Sequence, residues 1–483
     1  MSMSVFIRAL LLTQIAIAVI AGPQPAHAQY PDAPRPAETS NPTEETVRDT
    51  PQNSTNAPPL AAPPQTTAPP PTAAPAQTST QNPTPAQTQG PPPNIENTAE
   101  AAEPLPRRDL VRWNEYHGPH FTIRVGAGFL YDFSAFAQDK ESKEQIAVLP
   151  AFQVRDARII MGGRFPSLKL PTTWCLGLMY DGPTSAFFVR QTGIMFQVPK
   201  ILSYFFIGRQ KEGFSLNKVM VGYDGWTMER FTMSDATIPL LADGFKWLGY
   251  SKRHGFLWNV GYYNDVASKG QSFSSYSSQE VARLAWLPVH SEEEGTLIHL
   301  GFNFRYGKPV DGKLRLKSRP EDFIAPFFLD TGTFAASSSN SEGYEVYFRR
   351  RSLLFGSEYY FQHVNSPSKG NPNFNGGDVV ATWLVTGETR PYNTVNGCFK
   401  DIAPKRTVFS GGPGAWELVL RYSYTDLNGG SVRGGTFGRI TPMVNWYFSE
   451  NMRLEMAYGY GQLDRFNLKG NTQFFQTRIQ LQF

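Results

Sequence analysis

Asn471–Phe483 reads NTQFFQTRIQLQF, and its alternation decides the fold. Phe475, Thr477, Ile479, Leu481 and Phe483 share one side of an extended chain, while Gln476, Arg478, Gln480 and Gln482 share the other. Successive side chains of a strand point to opposite faces, so this segment is apolar on one face and hydrogen-bonding on the other. A strand of a soluble sandwich carries the same alternation, and the rest of the chain has to choose between the two.

The same parity recurs. Leu297–Tyr306 sets Ile298, Leu300, Phe302, Phe304 and Tyr306 against His299, Gly301, Asn303 and Arg305. Trp416–Tyr424 opposes Leu418, Leu420 and Tyr422 to Glu417, Arg421 and Ser423, and Met452–Tyr460 opposes Leu454, Met456 and Tyr458 to Arg453, Glu455 and Gly459. Phe121–Phe129 repeats the pattern near the start, with Arg124 on the polar side. Strands of about nine to eleven residues, apolar outside and polar or small inside, suit a membrane barrel with a wet interior. Aromatics form 13% of the chain and concentrate outside the Pro-rich segment, many at strand ends, as interfacial girdles require. Polar faces that combine Gly with Arg fit a lumen better than an open surface. The expected fold class is therefore an all-β transmembrane antiparallel barrel. Its last strand, ending on an aromatic, resembles the closing strand of bacterial outer-membrane barrels, which implies the barrel-assembly machinery as a partner acting through Phe483.

Three regions divide the chain. Residues 1–28 carry Arg8, an apolar run from Ala9 to Ala21 and the small-x-small triplet Ala26-His27-Ala28, the pattern of a secretory signal peptide. Residues 29–106 form a Pro/Ala/Thr-rich segment with no aromatic after Tyr30; it can bury too little to offset the entropy of ordering and is expected to be a disordered periplasmic linker. Residues 107–483 are the barrel. No stretch offers the ~18 unbroken apolar residues of a transmembrane helix. The formal net charge is +4; removing the +1 of the signal peptide and the −6 of the linker leaves +9 on the barrel region. Export excludes nucleic acid as the target of that charge, leaving an anionic surface or an anion path. Cys175 and Cys398 are far apart, do not make a disulfide framework and are expected to be free thiols. At about 20 to 25 residues per strand with its loop, Trp113–Phe483 accommodates an even number near 16, with 14 and 18 as neighbours.

Gly208–Leu216 (GRQKEGFSL), Thr227–Arg230 (TMER), Leu384–Lys400 (LVTGETRPYNTVNGCFK) and Gly414–Tyr447 (GAWELVLRYSYTDLNGGSVRGGTFGRITPMVNWY) resemble stretches of the phosphate-selective porins O and P. Gly213 stands where that family usually has Pro, and some relatives carry a coiled coil in place of the Pro-rich segment. The resemblance implies a homotrimeric 16-stranded porin in the outer membrane of a Gram-negative bacterium, reached through the periplasm. It also implies an inward-folded constriction loop and an arginine-lined route for small anions, phosphate or chloride.

Arg suits that chemistry because its planar fork stays charged and replaces the hydrogen bonds an anion loses with its water. The pore-lining candidates are Arg124, Arg155, Arg158 and Arg164 from the first strands, and Arg190, Arg209, Lys211, Lys218 and Arg230 around GRQKEGFSL–TMER, with Arg155 and Arg209 foremost. An Arg on a strand can instead reach the headgroup level, and Arg349-Arg350-Arg351, which cannot all face inward, reads as a turn at the membrane edge. No enzyme activity, cofactor or metal is expected: Glu292-Glu293-Glu294 reads as a solvated loop, and His254, His290 and His363 lack a nucleophile motif. Two other readings stand beside the porin, a barrel that anchors the Pro-rich arm without transport and an outer-membrane barrel hydrolase.

Overall fold

The computed structural model describes residues 114–182, 185–266 and 276–483. The residues expected to form a signal peptide and a linker lie outside them. Sixteen strands form the barrel wall. The first eight are β1 (Thr122–Gln138), β2 (Ala151–Arg164), β3 (Thr172–Asp181), β4 (Ala186–Val198), β5 (Ser203–Gln210), β6 (Ala242–Ser251), β7 (Phe256–Asn264) and β8 (Tyr276–Ser291). The second eight are β9 (Thr296–Pro309), β10 (Ser338–Arg350), β11 (Leu353–Asn365), β12 (Asn373–Leu384), β13 (Ala415–Gly429), β14 (Val432–Ser449), β15 (Met452–Arg465) and β16 (Leu468–Gln482). Each strand pairs antiparallel with its sequence neighbours, and β16 closes on β1 with Arg478 opposite Asp132. The terminal residue completes the seam: Ala127 N donates to the Phe483 carbonyl at 2.8 Å and Phe483 N to the Ala127 carbonyl at 2.9 Å. Closure gives every strand of the wall a neighbour on both sides, the condition for a sheet in lipid.

The alternation read from sequence sets the two faces. On β9, Leu300, Phe302 and Phe304 are 37%, 39% and 38% exposed, while His299, Asn303 and Arg305 are fully buried. A wall that is apolar outside and polar inside inverts the soluble pattern and identifies hydrocarbon as its outer solvent. Strand lengths differ from expectation, running from 8 residues in β5 to 18 in β14. The longer strands continue past the span needed to cross the hydrocarbon. Gly208 in β5 has φ +139°, and a Cβ there would stand 2.1 Å from the Thr192 carbonyl oxygen, so only Gly allows β4 and β5 to pair at that point.

Both chain ends of the barrel lie at one end of the wall. Alternation then places the turns at 199–202, 252–255, 292–295, 351–352 and 450–451, and the long segment 385–414, at that same end. Segments 139–150, 211–241, 310–337 and 366–372 lie at the other. The Arg triplet is a turn as read, with φ +54° at Arg351, but only Arg350 and Arg351 are exposed; Arg349 is buried against Glu292 at 3.0 Å.

Candidate ion path

Three segments fold into the lumen. Residues 211–241, which connect β5 to β6, carry two short helices, α1 (Leu216–Val219) and α2 (Thr232–Thr237). This segment reaches the wall eight strands away and lays its main chain against β13–β16. Gln480 donates to the Tyr223 carbonyl at 3.0 Å, Arg453 to Gly225 at 2.7 Å, Asn445 to Trp226 at 2.9 Å, Arg478 to Met228 at 2.5 Å and Arg421 to Glu229 at 2.8 Å. Arg390, from segment 385–414, takes the Asp224 carbonyl at 2.8 Å. Irregular backbone at membrane depth survives only if its polar groups are satisfied, and wall side chains do that here. At its start, Ser215 N donates to Asn303 at 2.8 Å and Asn217 N to Glu358 at 2.7 Å, while Arg305 binds Glu212 at 2.7 Å. Its apolar residues face other inward segments: Phe214 and Phe231 join Phe328 and Phe334, and Trp226 joins Tyr392 and Phe399.

Segment 310–337 enters from the same end. Arg439 donates to the Pro320 carbonyl at 2.6 Å, Glu321 accepts from Arg421 and Ser423, and Gln476 donates to the Glu321 carbonyl at 3.2 Å. Segment 385–414 enters from the opposite end and is gripped by β8–β10. Arg283 binds Glu345 at 2.8 Å and donates to the Asn396 and Gly397 carbonyls at 2.8 and 2.6 Å, while His299 bridges Glu345 at 2.8 Å and Tyr392 at 2.7 Å.

Of the nine candidate cations, six gather in or around 211–241. Arg155 is the extra residue of a β-bulge in β2, where the register against β1 slips between Val154 and Asp156. The bulge frees it from strict alternation and aims it at Glu229, 2.8 Å away, with Asp181 at 3.8 Å and the Phe323 ring 3.4 Å from its guanidinium. Arg190 sits at a second irregularity, between β3 and β4, and is buried. Arg158 pairs with Asp156 at 2.5 Å and lies 4.6 Å over the Tyr223 ring, whose hydroxyl donates to Asp156 at 2.8 Å. Lys218 donates to the Ile238 carbonyl at 3.0 Å, and Arg230 to those of Asn217 and Met220 at 3.0 and 2.9 Å. Lys211 donates to the Met220 carbonyl at 2.8 Å. The remaining three stand apart. Arg124 meets Glu115 at 3.2 Å, and Arg164 ends β2 at the chain-terminus rim. Arg209 pairs with Asp243 at 2.9 Å on the side of the wall shared by exposed Ile207, Phe245 and Trp247.

The later wall supplies arginines that were not among the candidates: Arg283, Arg305, Arg421, Arg439, Arg453 and Arg478 are all buried and inward. Parity marked four of them (Arg305, Arg421, Arg453 and Arg478) as inward; what strand alternation does not carry is which inward arginine meets a loop. Arg478 joins two carboxylates from different elements, binding both oxygens of Asp132 at 2.6 Å and Glu229 at 2.6 Å.

Burial and these neighbours tune the segment's titratable groups. Burial raises the Glu229 carboxyl, but Arg155 and Arg478 outweigh it and hold the group at about 2. Lys218 is drawn down to about 7 by burial and then by Arg230, with Asp235 and Glu212 opposing. Arg230 is lowered by burial, with Arg158 and Arg155 adding to the effect against Glu229 and Asp235. The arrangement can hold or pass an anion. Ser251 and His254, 3.0 Å apart, share an exposed turn with no carboxylate contacting the ring, and no group of three metal-ligating side chains occurs among the described residues. Cys175 and Cys398 are buried free thiols.

The family model described as phosphate-selective porin O and P matches residues 123–483. An uncharacterised protein of Caulobacter vibrioides is 27% identical over 168 residues, covering 34% of each chain, so the match spans about a third of that relative's length. Among solved structures, the anion-selective porin of Comamonas acidovorans aligns with a TM-score of 0.49 at 10% identity over 75% of this chain and 100% of that one. Outer-membrane expressed OmpT of Vibrio cholerae aligns with a TM-score of 0.48 at 12% identity over 76% and 100%.

Proposed function

Because the chain belongs to the phosphate-selective porin O and P family and so forms an outer-membrane channel, we propose that this channel prefers small anions, chloride and phosphate, over cations. The observation that carries the reading is the convergence of Arg155, Arg158, Arg190, Lys218 and Arg230 on the segment that narrows the lumen. Arg155 and Arg158 have carboxylate partners, but Lys218 and Arg230 donate only to main-chain carbonyls among the described residues, which leaves positive charge at the constriction. In a narrow channel with low-dielectric walls a few such charges set the local potential. Phosphate adds a second demand, replacement of tightly held water, which guanidinium forks from two sides of the constriction meet. The reading includes a homotrimer, insertion through the barrel-assembly machinery, and a Pro-rich segment acting as a periplasmic spacer.

The test is the reversal potential of the purified protein in a planar bilayer under a potassium chloride gradient, with phosphate added afterwards. Anion preference and block of chloride current by phosphate are expected, both weakened by Lys218→Met with Arg230→Gln. A cation-selective channel overturns the anion reading; chloride current indifferent to phosphate removes phosphate from it.

A further inference from the structure

Glu229 is the one carboxylate of the 211–241 segment that touches arginines from two separate strands. Its side chain lies 2.8 Å from Arg155 of β2 and 2.6 Å from Arg478 of β16. Those strands flank β1, so a single loop carboxylate ties the segment to the seam where the barrel closes. Arg478 is also bound on both sides by Asp132 and approaches Glu455 at 3.9 Å, so it is locked whatever Glu229 does. Arg155 is different. Apart from Glu229 its charged neighbour is Asp181 at 3.8 Å and its stacking partner the Phe323 ring at 3.4 Å, and its side chain stays 17% exposed. Around this point the carboxylates Asp132, Asp156, Asp181, Glu229 and Glu455 interleave with Arg155, Arg158, Arg230, Arg319 and Arg478, so the local charge is near balance and one unit changes it markedly.

We propose that Glu229 sets the strength of anion selectivity by masking Arg155: its charge keeps the bulge arginine turned into an ion pair and away from the path. The inference rests on the anion-path reading and deepens it by naming the residue that limits it. Glu229 contributes position as well, through its main-chain carbonyl held by Arg421 at 2.8 Å. That bond does not involve the side chain, so the segment keeps an anchor when the carboxylate is neutralised. An unpaired guanidinium at the bulge regains its full donor set for a passing anion.

The experiment compares wild type, Glu229→Gln, Arg155→Gln and the double variant as full-length protein in planar bilayers at one pH, reading reversal potential in a potassium chloride gradient and block by inorganic phosphate. Heat-modifiable gel mobility of each variant confirms a closed barrel. Glu229→Gln is expected to move the reversal potential further to the anion side and strengthen phosphate block several-fold. Arg155→Gln is expected to shift the potential toward the cation side by more in the Glu229→Gln background than in the wild type. A Glu229→Gln channel with unchanged or reduced anion preference, against an anion-selective wild type, overturns the inference alone. Equal effects of Arg155→Gln in both backgrounds overturn the masking. A cation-selective wild type instead overturns the reading beneath it.

Discussion

Lys218 donates to the Ile238 carbonyl inside the segment that crosses the lumen, with Arg230 and Arg305 disfavouring its charge and Asp235 and Glu212 favouring it. Burial is the largest influence and brings the ammonium down to about 7. The sign follows directly: below that value Lys218 is charged and adds to the basic constriction, and as pH rises through it the charge is lost. Anion preference should therefore be larger at about pH 5.5 than at about pH 8.5, and Lys218→Met should flatten the difference. Reversal potentials at the two pH values check this, and a wild type that reads the same at both refutes it. The same scale shows what a sequence can and cannot expose. Alternation identified Arg305, Arg421, Arg453 and Arg478 as inward, because parity is local and every second residue reports it. Arg155 was singled out by position along the chain, but its partner Glu229 lies 74 residues away and its aim depends on a one-residue bulge, neither of which alternation contains. Arg209 illustrates the converse: a cation beside the constriction segment in sequence stands on the parity of the exposed wall residues.

At the scale of one element, β16 joins closure to the lumen. Its outward residues Phe475, Leu481 and the terminal Phe483 are exposed, and its inward Gln476, Arg478 and Gln480 hold segments 310–337 and 211–241. A strand that reads as apolar against hydrogen-bonding is thus lipid-facing on one side and a dock for two loops on the other. Removing Phe483 deletes the two main-chain bonds to Ala127 together with the terminal aromatic, so the variant should be made and exported normally but reach the outer membrane at reduced levels. Unchanged outer-membrane amounts by fractionation and immunoblot would contradict this. Arg478→Gln acts from the other face by leaving Asp132 buried without its cation and Glu229 with Arg155 alone, a loss of roughly 3 to 5 kcal/mol by comparison with other broken buried pairs. Its heat-modified form should appear at a lower temperature than that of the wild type on semi-native gels, and an unshifted transition counts against the role assigned to the pair. The strands, their faces and their number near 16 were legible because they rest on period-two patterns and on length. The inward course of 385–414 was not: its partners Arg283 and His299 lie more than ninety residues before the residues they bind.

The barrel is a 16-stranded ring whose interior is narrowed from both ends, by 211–241 and 310–337 on one side and by 385–414 on the other. A 16-stranded barrel left empty is an aqueous channel, so conductance is set by what fills it. The tip of 385–414 offers a clean test of that statement. Lys400 N donates to the Pro391 carbonyl at 3.0 Å, so the two ends of the tip already lie side by side and residues 392–399 can be replaced by a two-residue Gly-containing turn. The wall should tolerate the excision. Arg283 keeps its bonds to Glu345, and Arg390 keeps Glu417 at 2.8 Å and the Lys400 carbonyl at 2.8 Å, so these charged groups retain partners, while carbonyl and hydroxyl contacts exchange for water and Trp226 and Tyr347 lose the packing of Tyr392 and Phe399. The tip's hydrogen bonds go to β8–β10, with Val395 also packed on the β3–β6 wall, whereas Arg155 and Arg158 approach from β2. Excision should therefore raise single-channel conductance while leaving the sign of the reversal potential unchanged. Conductance equal to the wild type would place the tip off the path, and a reversed potential would mean that selectivity resides on the β8–β10 side rather than at the bulge arginines.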